Sequence, residues 1–92
     1  ALLSKLPLSD VRRGLPGIDA SGFEAEFEQA RYIEAVIEAH RPVRVGCLYL
    51  PNGNPIGTEK FAYKLAWMDR LQAHARSLLA QEEAFTLMGD YN

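Results

Sequence analysis

Two apolar runs, Val43–Leu50 and Ala84–Met88, are separated by a long stretch of helical periodicity. The order strand, helix, strand constrains this chain more than any other feature. A helix that crosses between two strands of one sheet makes them parallel, and such a crossover is almost always right-handed. Both strands then finish at the same edge, which brings Tyr49-Leu50-Pro51-Asn52 beside Gly89-Asp90-Tyr91-Asn92. Open α/β sheets bind ligands outside the carboxyl ends of their strands, so this edge is the place to look for chemistry. Whether the two strands are immediate neighbours is not set by the spacing.

The helix is predicted from Thr58 to about Gln81. Thr58 is placed to cap the free N–H groups, and Glu59 in the first turn suits the positive end of the dipole. Phe61, Leu65, Met68, Leu71 or Gln72, Ala75 and Leu78-Leu79 recur at helical spacing and form the expected buried stripe. Lys64, Asp69, Arg70 and Arg76 lie mainly off it, and Trp67 flanks it as a packing residue. Upstream, Leu6 to Glu28 is interrupted by Pro7 and by Gly14-Leu15-Pro16-Gly17 and reads as mostly loop, with a short strand around Asp10 to Arg13. Between Arg31 and Ile37, Ile33, Ala35 and Ile37 share one parity while Tyr32, Glu34 and Glu38 share the other, as in a half-buried strand. His40-Arg41-Pro42 makes a turn that joins this strand to Val43–Leu50 in a hairpin. Both parities of Val43–Leu50 and of Ala84–Met88 are apolar, as expected for strands covered on both faces.

Ninety-two residues make one domain with a limited core. The apolar runs fall far short of the about 20 residues that span a bilayer, so no membrane is expected. Cys47 lies in an apolar run and reads as a reduced core residue, which fits an intracellular setting. A net charge of −2 argues against a generic nucleic-acid binder. It leaves room for a metal-dependent phosphodiesterase with its cations on one face, for which Arg12, Arg13, Arg31, Arg44, Lys60 and Lys64 are candidates against a scattered solvated surface. His40, in a turn, and His74, on the helix, both read as surface residues.

At the shared edge, Tyr49 offers a phenol, Asn52 and Asn54 offer amides, and Asp90 is a carboxylate directly after an apolar strand. Asn92 points to the same side as Asp90 if strand geometry persists. An aspartate beside an amide can orient and deprotonate a water or help hold a divalent metal. Asp-Tyr-Asn and Asn-Gly-Asn are equally turn compositions, and that reading stands beside the catalytic one.

Taken in order, these segments resemble a known family. Tyr49-Leu50-Pro51-Asn52-Gly53-Asn54-Pro55, Glu59-Lys60-Phe61, the Leu65-Ala66-Trp67-Met68-Asp69-Arg70-Leu71 helix and Gly89-Asp90-Tyr91-Asn92 are similar to the bacterial exonuclease III family. That family comprises exodeoxyribonucleases and apurinic/apyrimidinic endonucleases of the endonuclease–exonuclease–phosphatase superfamily. Ala1-Leu2-Leu3-Ser4-Lys5, Val11-Arg12-Arg13-Gly14-Leu15-Pro16-Gly17 and Arg31-Tyr32-Ile33 fit its order of segments. The resemblance covers essentially the whole chain. It implies an α/β fold, part of a four-layer α/β sandwich with about three or four strands and one long helix, and Mg²⁺-dependent hydrolysis of DNA phosphodiesters, with Mn²⁺ as a substitute. By resemblance, Asp90 acts on the attacking water, Asn92 positions that water, both approach the metal, and Tyr49 contacts the scissile phosphate. Asn52, Asn54 and Arg31 are the implied DNA contacts.

The family's principal metal-binding glutamate and its terminal Ser-Asp-His motif have no counterpart among these residues. The expectation is therefore a single partial domain over residues 1–92, the middle of an enzyme, beginning inside a strand and inactive alone. The implied whole is a monomeric, cytoplasmic bacterial DNA-repair enzyme acting on double-stranded DNA with abasic sites or 3'-blocked ends. One alternative is another phosphodiesterase or phosphatase of the superfamily. The other is a non-enzymatic α/β binding module, which has to cover a second sheet face that one helix cannot reach.

Overall fold

The computed structural model describes residues 1–16 and 30–92. Its elements are β1 (Leu8–Arg13), β2 (Tyr32–Ile37), β3 (Val43–Tyr49), α1 (Glu59–Ala80) and β4 (Phe85–Asp90). The four strands form one sheet in the order β1-β2-β3-β4. β1 and β2 pair antiparallel, as do β2 and β3, while β3 and β4 pair parallel. The α/β class, the hairpin and the parallel crossover match the sequence expectation, and β3 and β4 prove to be immediate neighbours. β1 is longer than the short strand expected, and its pairing is interrupted between Ser9 and Arg12, where Asp10 takes a positive φ of 48°. Residues 1–7, expected to open inside a strand, belong to none of the strands among the described residues, and Leu3 projects into solvent. The loop expected through Glu28 lies outside the described residues from position 17 to 29. Among the described residues, no helix is long and apolar enough to cross a membrane.

The core sits between the sheet and α1. Leu15, Tyr32, Leu48, Leu50, Tyr63 and Trp67 form it, with Leu71 and Leu87 packed alongside. The stripe that α1 buries is Tyr63, Trp67, His74 and Leu78, whereas Leu65, Met68 and Leu79 are exposed. The helix is thus rotated relative to the expected Phe61–Leu65–Met68 stripe. Aromatic rings bury far more area than a leucine or methionine, so turning Tyr63 and Trp67 inward wins the face. Arg70 reinforces this orientation, donating through Nη2 to the Leu15 carbonyl at 2.6 Å. Thr58 occupies the N-cap position, but its hydroxyl donates to the Pro55 carbonyl at 2.6 Å instead of capping a helical N–H. The opposite sheet face carries Ala35 and Val45, both buried, flanked by the half-buried Ile33, Ile37, Val43 and Cys47. β4 is an edge strand with Met88 49% exposed, not the strand covered on both faces that its composition suggested.

His74 is not a surface residue. The helix rotation carries its ring under the sheet, where Nε2 meets Glu34 Oε1 and the imidazole stands edge-on to Tyr32 at 5.7 Å. Glu34 is 1% exposed and receives two further hydrogen bonds, from Tyr32 Oη at 3.1 Å and from Arg44 Nη1 at 2.8 Å. Arg44 also reaches Asp10 at 2.8 Å and, through Nε, lies 3.5 Å from Glu83. It is therefore spent on a buried ion network and belongs to no solvated basic face. Gly46, opposite Glu34 in the sheet, makes room for this arrangement: a Cβ there would strike the Tyr32 hydroxyl and come within 2.7 Å of Leu87 Cδ2.

A buried carboxylate is tolerated only when its charge is paired and its oxygens are hydrogen-bonded. Burial pushes the Glu34 carboxyl up, but the bonds from His74, Tyr32 and Arg44 outweigh it and hold it below the ordinary 4.5. Burial and the adjacent Glu34 push the Tyr32 phenol above its usual range. Because the folded-state value of Glu34 is depressed, the unfolded chain takes up that proton first as pH falls. The stabilisation is complete above the ordinary glutamate range and is lost on acidification through the folded value. Urea unfolding followed from pH 7 to pH 3 is expected to show this loss, and Glu34→Gln should give a lower but flatter profile. At pH 7, Arg44→Met is expected to cost about 3–5 kcal/mol by stranding the Glu34 charge. A loss under about 1 kcal/mol would mean that Glu34 finds compensation elsewhere.

Candidate active site

The carboxyl ends of β3 and β4 meet in register: Leu48 faces Gly89 and Tyr49 faces Asp90. Tyr49 and Asp90 thus stand side by side at the ends of neighbouring parallel strands. Both are exposed, Tyr49 by 51%. The pairing continues one step beyond the strands, where the Leu50 N–H donates to the Asp90 carbonyl at 2.8 Å.

Gly89 makes this close approach possible. Its φ is +141°, and a Cβ would strike the Leu48 carbonyl oxygen and lie 2.8 Å from the Leu48 nitrogen. Backbone atoms cannot move aside as a flexible side chain can. The glycine of Gly-Asp-Tyr-Asn therefore has a structural reason to stand there, independent of any reaction.

Asn92 departs from the expected strand geometry. β4 ends at Asp90, and Asn92 adopts a left-handed φ of +59°. That turn directs its main-chain N–H to Asp90 Oδ1 at 2.7 Å and its side-chain Nδ2 to the Leu50 carbonyl at 2.8 Å. The turn reading is thus realised, and by the residues that the site reading names. One oxygen of Asp90 is pinned and the other is left for a water or a cation. The Asn92 amide clips the two strand ends together.

Asn52 and Asn54 are exposed on the loop that leaves β3 for α1. Asn52 Oδ1 accepts from the Asn54 N–H at 3.3 Å, an Asx-type turn, and Lys64 Nζ on α1 donates to the Asn52 carbonyl at 3.3 Å. Lys64 thereby anchors the loop to the helix, a role that helical spacing alone does not disclose. Arg31 stands at the start of β2 with its guanidinium over the Tyr49 ring, 4.8 Å from the centroid. The structure thus gathers Tyr49, Asp90, Asn92 and Arg31 at one edge, with Asn52 and Asn54 on the adjoining loop. A pocket of about 630 Å³ opens beside Arg31 and Tyr49, lined also by Arg13, Ile33 and Cys47, and Asp90, Asn92, Asn52 and Asn54 do not line it.

Mg²⁺ prefers six oxygen ligands and keeps several waters. Asp90 is a suitable anionic ligand, and Asn92, with its nitrogen turned to Leu50, has an amide oxygen of the right chemistry. Among the described residues, no group of three or more histidine, cysteine, aspartate or glutamate side chains could hold a metal. The donors present fit one side of a coordination shell.

No protein-family model matches the chain, and no curated protein matches it significantly. Solved structures do match. A 3'-5' exonuclease (NExo) from Neisseria meningitidis is 30% identical with a TM-score of 0.79, over 97% of this chain and 31% of that one. A structure of the 3' phosphatase NExo from Neisseria bound to a product DNA hairpin is 29% identical with a TM-score of 0.74, over 94% of this chain and 30% of that one. The fold is thus of the exonuclease and phosphatase type, as the sequence implied, and the chain spans about a third of the length of these structures.

Gly89→Ala is expected to destabilise the sheet edge by roughly 2–3 kcal/mol, from backbone strain and overpacking combined. Urea unfolding measures this, and amide exchange at Leu50, whose N–H depends on the pairing, should accelerate in parallel. Unchanged protection at Leu50 would show that the strand ends tolerate a side chain.

Proposed function

We propose that this chain is a segment of a metal-dependent nuclease that hydrolyses DNA phosphodiester bonds, of the exonuclease III and abasic-site endonuclease kind. The observation that carries the reading is the in-register pairing of Tyr49 with Asp90 at the carboxyl edge, with Asn92 locking Asp90 in place. The likeness to a DNA 3'-5' exonuclease and to a 3' phosphatase bound to a DNA hairpin supports the same substrate class. Double-stranded DNA with abasic or 3'-blocked ends is the proposed partner, acted on by a monomeric cytoplasmic bacterial enzyme.

Phosphodiester hydrolysis depends on placing a water in line with phosphorus and on stabilising charge on the phosphate oxygens. Asp90, with Oδ1 held by the Asn92 N–H, presents its second oxygen to the water and receives its proton. Tyr49 donates its phenolic hydrogen to a non-bridging phosphate oxygen. The Asn92 side chain, fixed on the Leu50 carbonyl, keeps the two strand ends at constant separation while this occurs. Asn52 and Asn54 present amides to the sugar-phosphate backbone. Mg²⁺ would sit near Asp90 and Asn92 through its water shell, and would supply Lewis-acid stabilisation of the phosphate charge.

The decisive assay uses the full-length protein on a duplex carrying one abasic site and on a duplex with a recessed 3' end. Cleavage is expected to need Mg²⁺ and to stop on chelation. Asp90→Asn should lower kcat by about 10³-fold or more, and Tyr49→Phe by about 10²-fold, in the range seen for lost proton transfer and lost oxyanion donors. Residues 1–92 alone are expected to show no turnover. Full activity of Asp90→Asn, or preference for a phosphoinositide or phospholipid over DNA, would overturn the reading.

A further inference from the structure

Arg31 carries more of the site's architecture than a DNA contact would require. The Tyr49 N–H donates to the Arg31 carbonyl at 2.9 Å, and Arg31 Nη1 donates back to the Tyr49 carbonyl at 3.1 Å. The guanidinium that makes this bond also lies over the Tyr49 ring, 4.8 Å from its centroid, and 6.0 Å from the centroid of Tyr63. Tyr63 is buried on α1 and belongs to the core. One planar cation thus links the immobile face of the helix to the main chain and ring of a half-exposed phenol.

A tyrosine exposed at a strand end has several staggered rotamers open to it. A phosphate oxygen must be met in one of them, and misplacement by about 1 Å can cost about 10²-fold in rate. A guanidinium can hold such a ring because its flat face packs on the π system while its edge donates to a carbonyl. An ammonium has no such edge, so lysine is a poor substitute. The carbonyl bond at 3.1 Å fixes the plane, and the plane covers one face of the ring.

We infer that Arg31 is the positioning residue of Tyr49: it holds the phenol in the orientation that meets the phosphate, and it acts on bound DNA through Tyr49 and not by its own contact with the backbone. The inference rests on the nuclease reading above and replaces the DNA contact that sequence resemblance implied for Arg31. It predicts a loss confined to turnover. A direct phosphate contact predicts a loss of affinity together with a shallower salt dependence.

The test uses the full-length protein and the abasic duplex, with Arg31→Met and Arg31→Lys made alone and in a Tyr49→Ala background. DNA binding is measured in chelator over a range of salt, kcat and KM are measured with Mg²⁺, and the Tyr49 ring is followed by NMR after ¹³C-labelling of tyrosine. Arg31→Met is expected to lower kcat about tenfold with KM unchanged, and to cost nothing further once Tyr49 is alanine. The salt slope should be unchanged, the Tyr49 ring signal should shift and broaden, and Arg31→Lys should restore only part of kcat. An undisturbed Tyr49 ring signal overturns the inference. So does an additive loss in the Tyr49→Ala background with a salt slope shallower by about one, because that places Arg31 on a phosphate. If the wild type neither binds nor cleaves DNA, the nuclease reading fails, and the catalytic role of the clamp falls with it. The ring signal still reports whether Arg31 holds Tyr49, so the two failures are distinguishable.

Discussion

The candidate site depends throughout on the parallel pairing of β3 with β4. Two parallel strands cannot be joined by a tight turn, so the chain must leave β3, cross the sheet and return, and α1 makes that crossing. The crossing carries the ends of both strands to one edge. Antiparallel pairing would have placed Tyr49 and Asp90 at opposite ends of the sheet. The approach is close enough that position 89 admits no side chain, and Leu50, one residue past β3, still donates to the carbonyl of Asp90 at the end of β4. The Asn92 amide adds a side-chain clip to the same two ends.

The faces of the sheet divide the work. On the side of α1, the aromatic pair Tyr63 and Trp67 packs over Tyr32, Leu48 and Leu50, and at one end of that layer lies the Glu34–His74–Arg44–Asp10 network. A buried network of this kind is weak evidence for stability, because desolvation offsets much of the attraction. Its geometry makes it specific, however. Glu34 accepts from strand and helix together, so the angle of α1 about its own axis is tied to the register of β2 against β3. On the other side lie the buried Ala35 and Val45 with the half-buried Ile33, Ile37, Val43 and Cys47, and the exposed Tyr49 and Asp90 stand at the carboxyl edge.

Arg31 connects the two layers. Its backbone pairs with Tyr49, its guanidinium covers the Tyr49 ring, and behind it lies Tyr63 of the core. A site built from exposed side chains at strand ends loses precision through rotamer freedom, and a packed cation is an economical way to restore it.

The residues themselves determined the order of elements, the hairpin, the parallel crossover and the edge at which Tyr49 and Asp90 converge. These follow from local periodicity, from turn residues such as His40-Arg41-Pro42, and from the rule that a helix between strands makes them parallel. What escaped were the side-chain contacts made with partners far along the chain. His74 read as a surface residue because nothing near it in sequence discloses Glu34, forty positions away. Leu65 and Met68 read as core because hydropathy does not weigh the larger area of Tyr63 and Trp67. Arg44 read as a surface cation because its acidic partners lie on other strands, and the turn reading of Asp-Tyr-Asn did not disclose that the Asn92 side chain reaches Leu50, 42 residues earlier. Periodicity reports which residues share a face. Only the tertiary structure decided what that face meets, because burial and ion pairing are properties of the contact and not of either residue alone.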